Sequence, residues 1–162
     1  MSILKPDLHF KNVIEIDPQL FVDKNIKFII FDIDNTLAEF NNPNLFDGVR
    51  GWLDRVQGAG IKCCLASNNR RERVEEFNRQ LGFYALWRAA KPFSIMLRRA
   101  VKKHGFTTSE TCVIGDQIFS DIMAANLGGM TSVLVDPLSD INEGKFVEFK
   151  RWLERHLAHR EI

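Results

Sequence analysis

Apolar and polar positions along this chain fall into two alternating kinds of block. Short, strongly apolar runs are separated by longer segments in which apolar residues recur at helical spacing. KFIIF (Lys27 to Phe31), IKCCLA (Ile61 to Ala66), TCVIG (Thr111 to Gly115) and TSVLV (Thr131 to Val135) read as buried strands, and Phe83 to Trp87 as a shorter one. Between them, Leu45 to Gln57, Asn69 to Leu81, Pro92 to His104 and Gln117 to Leu127 predict helices, each followed directly by glycine. Asn69 with Glu72 three residues on fits a capping box, and Pro92 fits a first helical turn. A last amphipathic helix is expected over about 144–158, with Phe146, Phe149, Leu153 and Leu157 on one stripe.

Strands alternating with helices predict a three-layer α/β/α domain with a central parallel sheet covered on both faces. Strands that are apolar throughout agree with burial on both sides. The expectation is one domain over residues 1–162, with its core at about 27–136. In such sheets, ligands sit beyond the carboxyl ends of the strands. The polar clusters fall there: Asp32 to Thr36, Ser67 to Asn69, and Asp116.

Composition narrows this picture. A length of 162 residues, with 45% apolar and 27% charged residues, suits one globular domain. A net charge of +1 argues against a nucleic-acid binder held by a strong overall positive field. No apolar run is long enough to span a membrane, and the N-terminus lacks the features of a secretory signal. A cytoplasmic protein is therefore expected, with Cys63, Cys64 and Cys112 as core thiols in a reducing compartment.

The candidate chemistry begins at FDIDNTL (Phe31 to Leu37). Residues i and i+2 of an extended chain point the same way, about 6.6 Å apart. Asp32 and Asp34 can therefore face one site while Ile33 turns to the core. Two neighbouring carboxylates repel, and a hard divalent cation with oxygen ligands relieves that repulsion. A carboxylate can also attack phosphorus, and a second can protonate the leaving oxygen and later activate water. Thr36 and the amides of the turn are expected to hold the geometry.

Three further polar groups recur at the same sheet edge. Ser67 precedes a helix start, where a hydroxyl and free amides suit phosphate. Lys91 lies at a predicted helix start, where a cation makes sense if it faces an anion. Asp116 would complete a cation site, and Asp121, in the next helix, would support it. The separations are 35 residues from Asp32 to Ser67, 24 to Lys91 and 25 to Asp116, each about one βα unit.

At these residues the chain resembles the haloacid dehalogenase (HAD) superfamily, specifically its subfamily IIIA phosphatases, over about Lys27 to Val135. The motifs appear in order as DIDNT, ASNN, AKP and GDQIFSD. The resemblance implies that Asp32 is the nucleophile and Asp34 the general acid/base. It implies Mg2+ held by Asp32 and Asp116, with Asp34 contributing its carbonyl. Ser67, Asn68 and Lys91 would hold the phosphoryl group, and Asp121 would support Asp116. A closer likeness, over nearly the full chain, is to the YqeG-type family through KPD, IIFDIDNTL, SNNRRERV, AAKPF and GDQIFSDI. That family resembles phosphatidylglycerophosphate phosphatases, which implies a membrane phospholipid as substrate.

The gaps between motifs leave no room for a cap domain, so an open site is expected. Such a site suits a phosphate on a large substrate or a membrane surface rather than a small metabolite enclosed by a lid. Arg70, Arg71 and Arg73, beside the phosphate corner, are candidates to attract an anionic headgroup. The same observations leave a second reading: a regulatory module docking on a GTPase or a ribosomal assembly. A receiver domain fits poorly, because the third strand region, FYALW, carries no acid. Oligomeric state is not readable from the sequence.

Overall fold

The computed structural model describes residues 2–139 together with Arg151 and Arg155. The elements, in chain order, are β1 (Leu8–Phe10), α1 (Pro18–Asp23), β2 (Phe28–Phe31), α2 (Val49–Gly58) and β3 (Lys62–Ala66). They continue as α3 (Arg71–Asn78), β4 (Tyr84–Leu86), α4 (Ile95–Lys103), β5 (Thr111–Gly115), α5 (Met123–Gly128) and β6 (Thr131–Val135). The six strands form one sheet in the order β1-β6-β5-β2-β3-β4, and every pairing is parallel. The expected three-layer architecture is therefore present, with no cap over the sheet edge among the described residues.

Period-two alternation divides the buried residues between two faces. Ile29 and Phe31 of β2, Cys63 and Leu65 of β3, and Cys112 and Ile114 of β5 pack on one side with Trp52, Leu53, Val74 and Phe77 of α2 and α3. Phe28, Ile30, Cys64 and Val113 pack on the other with Leu97, Val101, Ala124 and Ala125 of α4 and α5. All three cysteines are free and buried, as expected of core thiols. Burial pushes the Cys63 and Cys64 thiols up to about 12.

Strands β2 to β6 lie where the apolar runs predict them, β1 falls outside those runs, and the helices begin later. Helix α2 starts at Val49, and α3 at Arg71 with no side-chain cap. The capping box expected at Asn69 does not form, because the Asn69 side chain is committed elsewhere: its Oδ1 accepts from Arg70 N at 2.8 Å. Pro92 precedes α4 by three residues, after a cis Lys91–Pro92 bond, instead of opening the helix. The segment after β5 passes through a π-helical turn, Ile118–Ile122, before α5. The helix expected over 144–158 lies outside the described residues, apart from the helical Arg151 and Arg155.

The chain runs from β2 out to β3 and β4 on one side, then returns to β5 and β6 on the other. The carboxyl ends of β2 and β5 thus flank the point where strand order reverses, where open α/β sheets bind ligands.

Candidate active site

Asp32 leaves β2 with its backbone still in the ladder, its N–H donating to Ile114 O at 2.9 Å. The next turn is tight: Asn35 takes φ 60°, and the amides of Thr36 and Leu37 both donate to Ile33 O. Asn35 Oδ1 accepts from Ser139 N and Oγ, tying the loop after β6 to this turn. The Thr36 hydroxyl is buried without a hydrogen-bond partner, so the backbone and Asn35, rather than Thr36 Oγ1, hold the geometry.

The turn sends the two carboxylates to different partners. Asp32 Oδ1 accepts from Lys91 Nζ at 2.9 Å. Asp34 accepts instead from Arg73 Nη2 at 2.8 Å, from Asn41 N at 2.9 Å, and from Asn69 Nδ2 at 3.5 Å. Arg73 is therefore not part of a solvated basic face. It is buried, and its Nε and Nη1 have no hydrogen-bond partner.

Lys91 sits at the centre of the site. Its ammonium also donates to Asp121 Oδ1 at 2.6 Å and to Ala66 O at 2.8 Å, so all three N–H groups are used. Burial pulls its pKa down, but the Asp121 and Asp32 carboxylates outweigh burial and raise it above the ordinary value. Lys91 lies before α4 and not within its first turn, and the anions it faces here are the Asp32 and Asp121 carboxylates. Asn68 fixes the Lys91 backbone: Oδ1 accepts from Lys91 N and Nδ2 donates to Lys91 O, both at 2.8 Å. Ser67 Oγ accepts from Asn69 N at 3.0 Å.

Asp116 directly follows β5 and is buried. One of its oxygens accepts from Arg151, and the other, Oδ1, is buried without a hydrogen-bond partner. Asp121 Oδ2 accepts from Gln117 N at 3.2 Å, which turns its other oxygen toward Lys91. Asp32, Asp116 and Asp121 each offer one carboxylate oxygen, and these lie within 4.8 Å of one another. Burial holds the Asp32 carboxyl up at about 7 against the pull of Lys91. Burial, and then the Asp32 charge, push Asp116 well above the usual carboxylate range against the pull of Arg151. A partnerless buried oxygen among three crowded carboxylates fits a hard divalent cation. The Asp34 carboxylate is outside this cluster.

Asp32, Asp34, Ser67, Asn68 and Lys91 line a cleft of ≈ 140 Å³ together with Phe40, Asn69, Gln117 and Ser120. Sequence reasoning did not single out Phe40, Gln117 or Ser120, and it missed the contacts of Arg73 and Arg151. A cation in the first turn of α3, against the helix dipole, was the available signal for Arg73.

A family model described as HAD-hydrolase-like matches residues 88–137. Over 152 residues the chain is 34% identical to the probable phosphatase YqeG of Bacillus subtilis, covering 94% of this chain and 88% of that protein. It is 27% identical to the chloroplastic/mitochondrial phosphatidylglycerophosphate phosphatase 1 of Arabidopsis thaliana, over 96% of this chain but only 47% of that protein. Among solved structures, a predicted phosphoglycolate phosphatase from Haemophilus somnus shares the fold with a TM-score of 0.59, at 16% identity over 68% of this chain and 85% of that one. The cobalt-bound deoxy-D-mannose-octulosonate 8-phosphate phosphatase of Haemophilus influenzae does so with a TM-score of 0.52, at 19% identity over 68% of each chain. The chain belongs to the HAD superfamily of hydrolases, in its YqeG-type family of phosphatases.

Proposed function

We propose that this phosphatase hydrolyses a phosphomonoester through a phospho-aspartate on Asp32, and that its substrate is a membrane phospholipid such as phosphatidylglycerophosphate. In the first step an Asp32 oxygen bonds to phosphorus, the bond to the leaving oxygen breaks, and Asp34 gives that oxygen a proton. In the second, water attacks the phosphorus, Asp34 takes the water's proton, and the phosphorus–Asp32 bond breaks to release inorganic phosphate. Ser67 and Asn68 hold the phosphoryl oxygens, joined by Lys91, which exchanges its hydrogen bond to Asp32 for one to the phosphoryl group. Asp32, Asp116 and the Asp34 carbonyl hold Mg2+, with Asp121 supporting the acid cluster. When bound, Mg2+ supplies positive charge to the phosphoryl oxygens and offsets the repulsion between the carboxylates.

The observation that carries the substrate reading is the uncapped cleft of ≈ 140 Å³. It suits a phosphoryl group and leaves the rest of the ester outside. The likeness to a phosphatidylglycerophosphate phosphatase supports the same choice of headgroup. The whole chain then works as one domain at the inner face of a membrane. A purely regulatory role leaves the acid set and its buried lysine without a purpose.

The test is magnesium-dependent phosphate release from phosphatidylglycerophosphate in detergent and from p-nitrophenyl phosphate. The parent protein is expected to favour the lipid, and Asp32→Asn to fall to background while keeping a cooperative unfolding transition. Turnover that survives Asp32→Asn removes the nucleophile assignment.

A further inference from the structure

We propose that the edge of the molecule formed by the start and outer flank of α4 is a docking face for an anionic phospholipid bilayer. The inference deepens the lipid reading of the site and rests on it for the choice of occupant. Its own evidence is exposure and charge away from the catalytic groups.

Phe93 and Ile95 are 67% and 61% exposed, the two most exposed large apolar side chains among the described residues. Phe93 follows the site's Lys91 by two residues, with its N–H donating to Ala90 O, and Ile95 opens α4. Trp87, 39% exposed, directly follows β4. Phe93 and Ile95 thus flank the start of α4, in the same segment as the buried lysine of the site.

The stretch of chain that carries Phe93 and Ile95 is rich in basic residues. No Asp or Glu occurs between Glu76 and Glu110, whereas Arg79, Arg88, Lys91, Arg98, Arg99, Lys102 and Lys103 fall in that stretch. The net charge of the chain is only +1, so this basicity is local. Arg98, Arg99 and Lys102 are exposed and line, with Ile95 and Phe106, a groove of ≈ 420 Å³ on the α4 flank. Bulky apolar side chains set among cations match the boundary between anionic headgroups and acyl chains.

A nucleic acid would also meet basic charge, but it needs free aromatic faces for stacking. Here Phe93 alone of the three offers a free ring, since the Trp87 ring lies under the Arg71 guanidinium, 5.0 Å from its centroid, and Ile95 has none. A bilayer uses an aliphatic side chain as readily as an aromatic one.

The test is co-sedimentation of the full chain with vesicles of phosphatidylcholine alone, and of equal parts phosphatidylcholine and phosphatidylglycerol. Binding is expected to the mixed vesicles and to weaken in high salt. Arg98→Gln with Arg99→Gln should weaken it roughly thirtyfold, the worth of two cations at an anionic surface. Phe93→Ser with Ile95→Ser should weaken it by about tenfold or more through lost apolar burial. Both double variants replace exposed side chains and should keep the parent's unfolding midpoint. Absence of sedimentation, or variants that bind like the parent, overturns the proposal. So does tighter binding to single-stranded RNA that the same substitutions abolish. Vesicle binding without phosphate release from phosphatidylglycerophosphate supports the docking face and overturns the lipid-substrate reading. Hydrolysis of that lipid in detergent without vesicle binding does the reverse.

Discussion

Gly115, the last residue of β5, sets the position of the site's buried lysine without touching it. A Cβ at this position would lie 2.2 Å from Cγ and Oδ2 of Asp121, far inside contact distance. Asp121 is 1% exposed and held by Gln117 N and Lys91 Nζ, so it has nowhere to move without breaking one of these bonds. Gly115→Ala is therefore expected to destabilise the protein by about 1–3 kcal/mol, the usual cost of overpacking. The measurement is urea unfolding, and an unchanged midpoint would show that Asp121 shifts freely. This constraint was invisible in the sequence, where Gly115 reads only as the end of an apolar strand. Asp32, Lys91 and Asp116 were legible because each directly follows or lies near a recognisable strand end. Arg73, grouped with Arg70 and Arg71 as a candidate for an anionic headgroup, instead pairs with Asp34 and is buried, because its place depends on where the Asp34 carboxylate turns after β2.

Elements were more legible at their centres than at their ends. The cores of β2, β3, β5 and β6 were readable because apolar runs buried on both faces leave little ambiguity. Strand β1 was missed: LHF is three residues long, carries a histidine, and is defined by its register on Val133 to Val135 of β6. Helix starts were misplaced where loop geometry at the site took over the capping residues, as at Asn69. The short 3-10 turn Thr108–Glu110 before β5 shows what a formed cap does. Thr107 and Glu110 make a reciprocal capping box, and Glu110 also accepts from Lys27 Nζ at 2.7 Å, at the start of β2. The Lys27 hydrogen bond first, and then those from Thr107, lower the Glu110 pKa from 4.5 to about 2. Its folded-state pKa is below its unfolded value. The stabilisation is thus fully present above about 4.5 and lost as pH falls through about 2. Glu110→Gln should lower the unfolding midpoint at neutral pH and flatten its decline over that acid range. An acid limb identical to the parent's would show that Glu110 is not a contributor.

At the scale of the whole molecule, the buried acid cluster has the opposite sign from Glu110. Burial holds Asp32 at about 7 in the fold, against 3.8 as its ordinary value, and raises Asp116 as well. Between those values the folded, metal-free protein binds more protons than the unfolded chain, so it loses stability as pH rises. Stability without metal should therefore climb as Glu110 ionises, then fall toward and through about pH 7 as the cluster is forced to charge. A divalent cation needs the carboxylates ionised, so its binding must compete with those protons. Mg2+ should accordingly bind more tightly one unit above the Asp32 value than one unit below it, with protons released at the lower pH. Because the cation binds only the folded state, it should raise the unfolding midpoint most where the metal-free protein is weakened most. Calorimetric titration with Mg2+ at the two pH values, in buffers of different ionisation enthalpy, measures affinity and proton release together. Thermal unfolding with and without Mg2+ measures the linked stability. Affinity that is flat or falls with pH would mean that Asp32 and Asp116 do not hold the cation, and the acid cluster would then be an electrostatic cost that Lys91 and Arg151 offset alone.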